Sequence, residues 1–525
     1  MALIQMVEGF RPRNDERLLR KADIYKPVLH YDTVQPVRAF YLRERYSSEQ
    51  EEVPLEELPN NALKRGHNLV LDFGRHMTGR LKLRVSATGS HPDAPAHLKL
   101  KFAETAGELG EDSSGYDGWV SSGWIQEEYV HVDELPAQIE LPRRYAFRYL
   151  KVTVLATSPK YRLVVNSASC VTETSADLST LTRVSYGDEL LDRICEVSLN
   201  TLSECMQDVF EDGPKRDRRL WMGDLRLQAL VNYASFRNMG LVKRCLYLFA
   251  GSTFPDGRVS ANVFTTPYVD ADDTWLFDYS LFFVNALEEY LEQTGDGEAL
   301  ADLFHTARQQ LALAASFVGE DGLIEADIAD DAFIDWTEGL HRRCAAQGVM
   351  IDSLGYGVRL ARRMGDAELA GRLEALRARM TDAARREFWD EGQRLFVCDG
   401  EASCASQVWM VIAGVTEGDE ARDVMARAEH VNPERKMLTP YMHHYYVEAL
   451  LACGMRDEAL EHIRSYWGSM VEAGADTFYE AWDPEDPDAS PYGGRVINSY
   501  CHAWSCTPAL LLQRIFSSDH ETEND

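Results

Sequence analysis

The densest concentration of groups able to move protons lies in DVFEDGPKRDRRLWMGD (208–224). Asp212, Asp217 and Asp224 interleave there with Arg216, Arg218 and Arg219, and Trp221 stands among them. Neighbouring carboxylates raise one another's pKa, arginines lower it, and a tryptophan offers a flat apolar face to a sugar ring. That combination suits acid–base chemistry on a polyhydroxylated substrate. An arbitrary string of this composition is equally a surface charge network capping two helices. A second candidate is Glu480 in ADTFYEAW (475–482), beside Trp482, where a lone glutamate between aromatics is as much a structural acceptor as a base. His502 and Trp504 follow in NSYCHAWS (498–505), and Asp335 and Trp336 in FIDW (333–336). DDTW (272–275) and TPYMHH (439–444) are weaker, and Trp275 and His443 suit core packing as well as substrate contact.

Nothing else invites metal or cofactor chemistry. His443 and His444 are adjacent, so on a helix they point ~100° apart and rarely share an ion. HExxH, a cysteine cluster, GxxxxGK[ST] and GxGxxG are all missing, so no metal and no cofactor is expected.

The elements that must position these residues change character along the chain. NLVLDFGRHMTGRLKLRVSATG (68–89), HLKLKFAET (97–105) and YAFRYLKVTVLA (145–156) alternate apolar and polar residues. Residues 1–180 therefore read as an antiparallel β domain, expected to be a sandwich, with ELGEDSSGYDGWVSSG (108–123) as a loop. From about 186 the period becomes 3.6 and a dozen helical segments follow, the last placed at 498–514. NMG-LVKR, QTG-DGEAL, RMG-DAEL, TEG-DEA and ACG-MRDEAL each suggest a helix ending on glycine before the next begins. Six successive helical hairpins over 181–525 predict an (α/α)6 toroid, with an open helical array as the alternative. Three long, aromatic, acidic segments without helical period, 208–224, 254–274 and 474–497, are the expected walls of a pocket.

Composition bounds the partners. With 85 acidic against 54 basic residues the formal charge is −31, which disfavours nucleic acid and suits a neutral, polyhydroxylated ligand. No stretch approaches the ~20 apolar residues of a membrane span, and the N-terminus does not resemble a secretion signal. Ten cysteines without a CxxC pair suit free thiols in a reducing cytoplasm. A homodimer through exposed β faces is a reasonable expectation.

The 208–224 segment resembles the signature of the α-L-rhamnosidases of glycoside hydrolase family 78, approximately Asp-x-Pro-x-Arg-Asp-Glu-Arg-Leu-Gly-Trp-x-Gly-Asp. The glutamate that serves that family as general acid has no glutamate counterpart here, and the string is one residue shorter. Aligned on the Trp-x-Gly-Asp end, Asp217 occupies the acid position, seven residues before Asp224. Its shorter side chain requires the backbone to approach the glycosidic oxygen, which the deletion can accommodate. ADTFYEAW resembles the family's Thr-x-Trp-Glu-x-Trp segment, which implies Glu480 as general base, and NSYCHAWS resembles the helix start that brings a histidine, here His502, to the sugar. LDFGRHMTGRLKL and AFRYLKV are similar to the family's preceding β-sandwich, so the resemblance covers most of the chain in a compact two-domain form.

The resemblance implies hydrolysis of terminal α-L-rhamnose with inversion, which places the two carboxyls ~6.5–9.5 Å apart with a water between. It further implies sugar hydroxyls held by Asp212, Asp224 and Asp335, acids oriented by Arg216 or Arg218, apolar faces covered by Trp221 and Trp336, and Trp482 and His502 among the substrate-binding residues. The implied partner is a small rhamnose-containing glycoside. The competing readings are another toroidal hydrolase acting on glucosyl or uronic-acid linkages, and a sugar-binding protein without catalysis.

Overall fold

The computed structural model describes residues 9–42, 50–181 and 184–517. The period-two stretches form the antiparallel strands Asn68–Gly89, Ala96–Ala103, Tyr145–Ala156 and Tyr161–Thr174. Asn68–Gly89 runs 22 residues and serves two layers. Its first half lies between Tyr145–Ala156 and Arg38–Leu42, and its second between Tyr161–Thr174 and Ala137–Glu140. Leu69, Leu71, Phe73, Met77, Leu81, Leu83 and Val85 share one face of that strand by the pleat, and all enter a single core with Leu98, Leu100, Leu150 and Val152. The layers close over this core as a sandwich. The loop expected after Ala96–Ala103 is present, tightened by the short 3-10 turns Ala106–Gly110, Ser113–Gly115 and Ser122–Trp124.

Twelve helices then build the toroid. Met222–Ala234, Phe277–Thr294, Arg343–Arg363, Cys404–Ile412, Pro440–Ala452 and Pro508–Ser517 each touch the next, and the last returns to the first, so the inner ring is closed. Glu189–Cys205, Met239–Gly251, Gly297–Ser316, Ala367–Phe388, Gly418–Ala428 and Arg456–Glu472 alternate with them along the chain as the outer ring. The division follows from sequence: Phe277–Thr294 is buried on nearly every side, whereas Ala367–Phe388 buries one stripe and leaves its charged residues in solvent. No helix among the described residues is long and apolar enough to cross a membrane.

Three details depart from expectation. Residues 13–24, assigned by sequence to the β region, join the helical body instead. Arg13–Asn14 pairs with Ser252–Thr253, and the helix Glu16–Ile24 packs on Met239–Gly251 through Leu18 and Ala22. The last helix begins at Pro508 rather than 498, because residues 498–507 run as extended chain and 3-10 turns. Gly295, Gly365 and Gly454 end helices in the left-handed conformation, but Gly240 and Gly418 lie at helix starts, where Arg237 and Gly414 carry the preceding turn.

Candidate active site

The loop 206–221 leaves Glu189–Cys205 and is folded back on itself. Asp212 N–H donates to the Arg219 carbonyl (3.0 Å), and the Asp212 carboxylate accepts from the Asp217 N–H (2.9 Å) and the Arg219 N–H (3.0 Å). Asp212 thus fixes the backbone on both sides of Asp217. Leu220–Trp221 then pairs with Asn262–Phe264, which pairs with Asp270–Ala271, so the 254–276 segment is pinned beside the loop. Asp224 sits in the first turn of Met222–Ala234, where the helix dipole favours a carboxylate. The glycine before it has a packing cause: a Cβ on Gly223 would lie 2.3 Å from the Tyr279 ring.

The third segment arrives by an irregular antiparallel ladder. Glu480 N–H donates to the Ser499 carbonyl (3.1 Å) and His502 N–H to the Phe478 carbonyl (2.9 Å), which sets Glu480 and His502 side by side. The next residue, Ala503, donates to the Asp212 carbonyl (2.8 Å), joining this ladder to the acidic loop.

All three segments converge on one cavity of about 320 Å³. Asp212, Arg216, Asp217, Trp221 and Asp224 face it from the first, Asp272 and Thr274 from the second, and Glu480, Tyr492, His502 and Trp504 from the third. Asp217 and Glu480 therefore share a cavity. Arg216 lies between them, pairing with a Glu480 carboxylate oxygen through Nη2 while its Nη1 stands 3.9 Å from Asp217 Oδ1. Its Nε donates to the Ile497 carbonyl (3.0 Å), and its guanidinium stacks 3.9 Å from the centre of the Tyr492 ring. The Tyr492 hydroxyl donates to the other Glu480 oxygen. Glu480 is thus held from two sides, whereas the Asp217 carboxylate, 22% exposed, accepts no hydrogen bond from the described residues.

Proton affinities are spread unevenly over the cavity floor. Burial, followed by the charge on Asp217, raises the Asp212 carboxyl to about 7, against the pull of His502. Burial also raises Asp224, opposed by His502, whose Nε2 lies 3.0 Å from Asp224 Oδ1. For His502 burial disfavours the imidazolium, but Glu480 and Asp224 outweigh it and its pKa rises.

Three residues expected at the sugar lie elsewhere. Arg218 adopts a left-handed backbone (φ 62°) that turns its guanidinium away, to the carbonyls of Pro214 (2.8 Å) and Arg144 (2.9 Å). Asp335 is buried under the start of Pro440–Ala452, accepting from the backbone of Leu438 (2.9 Å) and Thr439 (3.1 Å) and from the hydroxyls of Thr337 and Thr439 (both 2.6 Å). Trp482 donates its indole N–H to Ser469 (2.8 Å) and packs on Tyr479. Trp336 does face the cavity, beside Phe333. Trp275 and His443 are core residues, His443 lying 2.8 Å from His462. Among the described residues no three His, Cys, Asp or Glu side chains are grouped to hold a metal ion.

The β domain takes part in the site, which no sequence signal indicated. Lys215 reaches out of the acidic loop to Glu108 (2.6 Å) and Glu104 (3.4 Å), all three side chains being buried, and Glu211 pairs with Arg144 (2.6 Å). Trp119, Val120 and Trp124, from the loop after Ala96–Ala103, form part of the cavity wall. Tyr492 was missed as well, lying in a stretch without periodicity; its position between glycine and proline turns, SPYGG, is the one hint.

Residues 180–515 match the family described as the bacterial alpha-L-rhamnosidase 6 hairpin glycosidase domain, and residues 41–172 the glycosyl hydrolase family 78 alpha-rhamnosidase N-terminal domain. The chain belongs to glycoside hydrolase family 78. Among solved structures it is similar to a rhamnosidase from Klebsiella oxytoca with rhamnose bound, at 44% identity over 96% of this chain and 99% of that one, with a TM-score of 0.92. The family 78 rhamnosidase of Bacillus sp. GL1 shares the fold at 22% identity and TM-score 0.73, over 90% of this chain and 50% of that one. The alpha-L-rhamnosidase of Streptomyces avermitilis complexed with L-rhamnose does so at 18% and 0.66, over 93% and 44%. The toroid and sandwich are therefore those of family 78. A comparison with curated proteins found no match.

Proposed function

We propose that this chain hydrolyses terminal α-L-rhamnose from small glycosides by single displacement with inversion, Asp217 acting as general acid and Glu480 as general base. The observation that carries the assignment is the shared cavity: two carboxyls far apart in the sequence, Asp217 and Glu480, face it, and one guanidinium contacts both. Contacts to one guanidinium keep the two carboxyls within reach of the ~6.5–9.5 Å separation that an inverting pair needs for its water. Asp217, partly exposed and accepting no hydrogen bond from the described residues, in this reading hands its proton to the leaving oxygen. Glu480, deeper and tethered by Tyr492 and Arg216, is in this reading the base that deprotonates a water on the opposite face.

Asp212, Asp224 and His502 supply acceptors and donors for sugar hydroxyls, and Trp221, Trp336 and Trp504 supply apolar walls, one of which meets the C6 methyl. A methyl in such a wall contributes about 1 kcal/mol, so hydroxyl contacts carry most of the preference for rhamnose. Nine of the ten free cysteines are buried, which suits a reducing cytoplasm, and the homodimer expected from exposed β faces belongs to the same reading.

The test is a panel of 4-nitrophenyl glycosides with NMR observation of the first-formed sugar. Release from the α-L-rhamnoside, with β-L-rhamnose appearing first, is the expected result. Faster release from the glucoside would reassign the substrate, and α-rhamnose as first product would reject inversion.

A further inference from the structure

We propose that Trp119, supplied by the β domain, is the platform for the leaving group and selects flat aromatic aglycones over sugars. The proposal rests on the rhamnoside hydrolysis assigned above. Trp119 is 49% exposed, an unusual state for an indole, yet it is not loose. Its N–H donates to the Pro491 carbonyl (2.9 Å), and the neighbouring Tyr116 hydroxyl donates to the Tyr492 carbonyl (2.9 Å). Between them the backbone itself is in contact, since a Cβ on Gly118 would lie 2.1 Å from the Tyr492 carbonyl oxygen. The polar edge of the indole is thus fastened to the segment that follows Glu480, and a ring face is left open at the cavity.

The ring's place in the wall indicates what it meets. The Tyr492 hydroxyl touches Glu480 on the floor, the Trp119 ring centre stands 5.5 Å beyond the Tyr492 ring, and Trp336 flanks it at 6.1 Å. An aromatic wall therefore climbs from the base carboxylate to the solvent-facing mouth, with Trp119 as its outer member. A sugar seated against Glu480 fills the floor, so what reaches Trp119 is the group beyond the glycosidic bond. The mouth around it is Val120, Trp124 and Trp336, with Ser121 as the hydroxyl nearby in sequence. The polar lining groups Arg219, Asp272 and Thr274 come from the helical domain, so on the β-domain wall a second sugar ring meets Ser121 among apolar side chains, whereas an aryl ring gains offset or edge-to-face contact with indole.

The test compares the wild-type protein with Trp119→Ala, Trp119→Leu and Trp119→Phe. Substrates are 4-nitrophenyl α-L-rhamnoside and an α-L-rhamnosyl-glucose disaccharide, and inhibition by free L-rhamnose reports the sugar subsite alone. Removing the indole with Ala or Leu is expected to raise KM for the aryl substrate roughly three- to tenfold, with Phe recovering most of the loss. The disaccharide KM and the rhamnose inhibition constant are expected to move less than about twofold. Leucine keeps an apolar side chain should alanine disturb the loop. Equal rises for both substrates, weaker rhamnose inhibition, or an unchanged aryl KM would each overturn the proposal. Failure of the wild type to release rhamnose from either substrate would instead remove the hydrolase reading on which it stands.

Discussion

The two ends of the helical ring carry similar chemistry and put it to opposite use. At the loop end lies the cavity of about 320 Å³ with Asp212, Asp217, Asp224 and Glu480; at the other end the inner helices enclose about 410 Å³ beside Arg226, Glu289, Asp352, Glu448 and Arg514. Both combine carboxylates, arginines and aromatic rings. At the far end most of the charges are paired: Arg226 donates to Glu289 through Nε (3.1 Å) and Nη2 (2.9 Å) and to the Tyr445 and Tyr356 hydroxyls, and Arg514 pairs with Glu448, while Asp352 accepts from Asn285 (3.3 Å). These side chains project from the middles and ends of rigid helices. At the loop end the Asp217 carboxylate accepts no hydrogen bond from the described residues and stands 3.9 Å from the Arg216 guanidinium, while Asp212 accepts the backbone N–H groups around it. Both ends thus hold a carboxylate with acceptors to spare, and what sets the loop end apart is that Asp217 sits on a loop held from behind rather than on the body of a helix.

The sharpest way to break this comparison is to remove a proton carrier. Asp217→Asn is expected to lower kcat by about 10²–10⁴-fold while leaving rhamnose inhibition within about twofold, because the amide cannot deliver a proton. Glu480→Gln should lose a similar factor, and azide should restore turnover with a product of the opposite anomeric configuration. Unchanged kcat in either variant would take that residue out of the mechanism.

The far end predicts a loss of a different kind. Glu289→Gln leaves the buried Arg226 without its counter-charge, which is expected to reduce folding stability by about 3 kcal/mol while kcat and KM at 25 °C stay near wild type. Thermal or urea unfolding, read beside the activity assay, checks both halves. A large change in KM would mean that the far cavity communicates with the site.

A smaller effect concerns protons at the loop end. Asp212 is raised in the folded protein to about 7, so between its ordinary value near 3.8 and 7 the folded state keeps a proton that the unfolded chain has lost. Stability contributed in that window falls as pH rises, by about 1.4 kcal/mol per pH unit for this group. Asp212→Asn should flatten the decline in Tm between pH 5 and 7. An equally steep decline in the variant would place the titration elsewhere.

Much of this was legible in the chain. The toroid followed from twelve segments of period 3.6, and the acidic loop from the crowding of Asp212, Asp217 and Asp224 around arginines and a tryptophan. Orientation was not legible. Alternating charges do not say that a left-handed turn at Arg218 sends one guanidinium outward while Arg216 points in. Nor does a string such as FIDW say that the carboxylate accepts three of its four hydrogen bonds from the start of another helix while the indole faces the cavity. Trp119 and Lys215 depend on contacts between residues more than a hundred positions from their partners, Pro491 in one case and Glu104 and Glu108 in the other, and local pattern carries no trace of such contacts.

The smallest effect tests that distinction directly at Asp335. If its carboxylate serves the start of Pro440–Ala452, then Asp335→Asn loses part of a four-donor arrangement and is expected to lower stability by about 1–2 kcal/mol. Rhamnose inhibition should change by less than about twofold, since no sugar hydroxyl would be losing an acceptor. A direct sugar ligand behaves in the reverse way, with affinity falling tenfold or more, on the order of 1.4 kcal/mol, and Tm barely moving. Measuring the inhibition constant and the Tm on the same preparation separates the two, because a support residue and a ligand residue load the loss onto different observables.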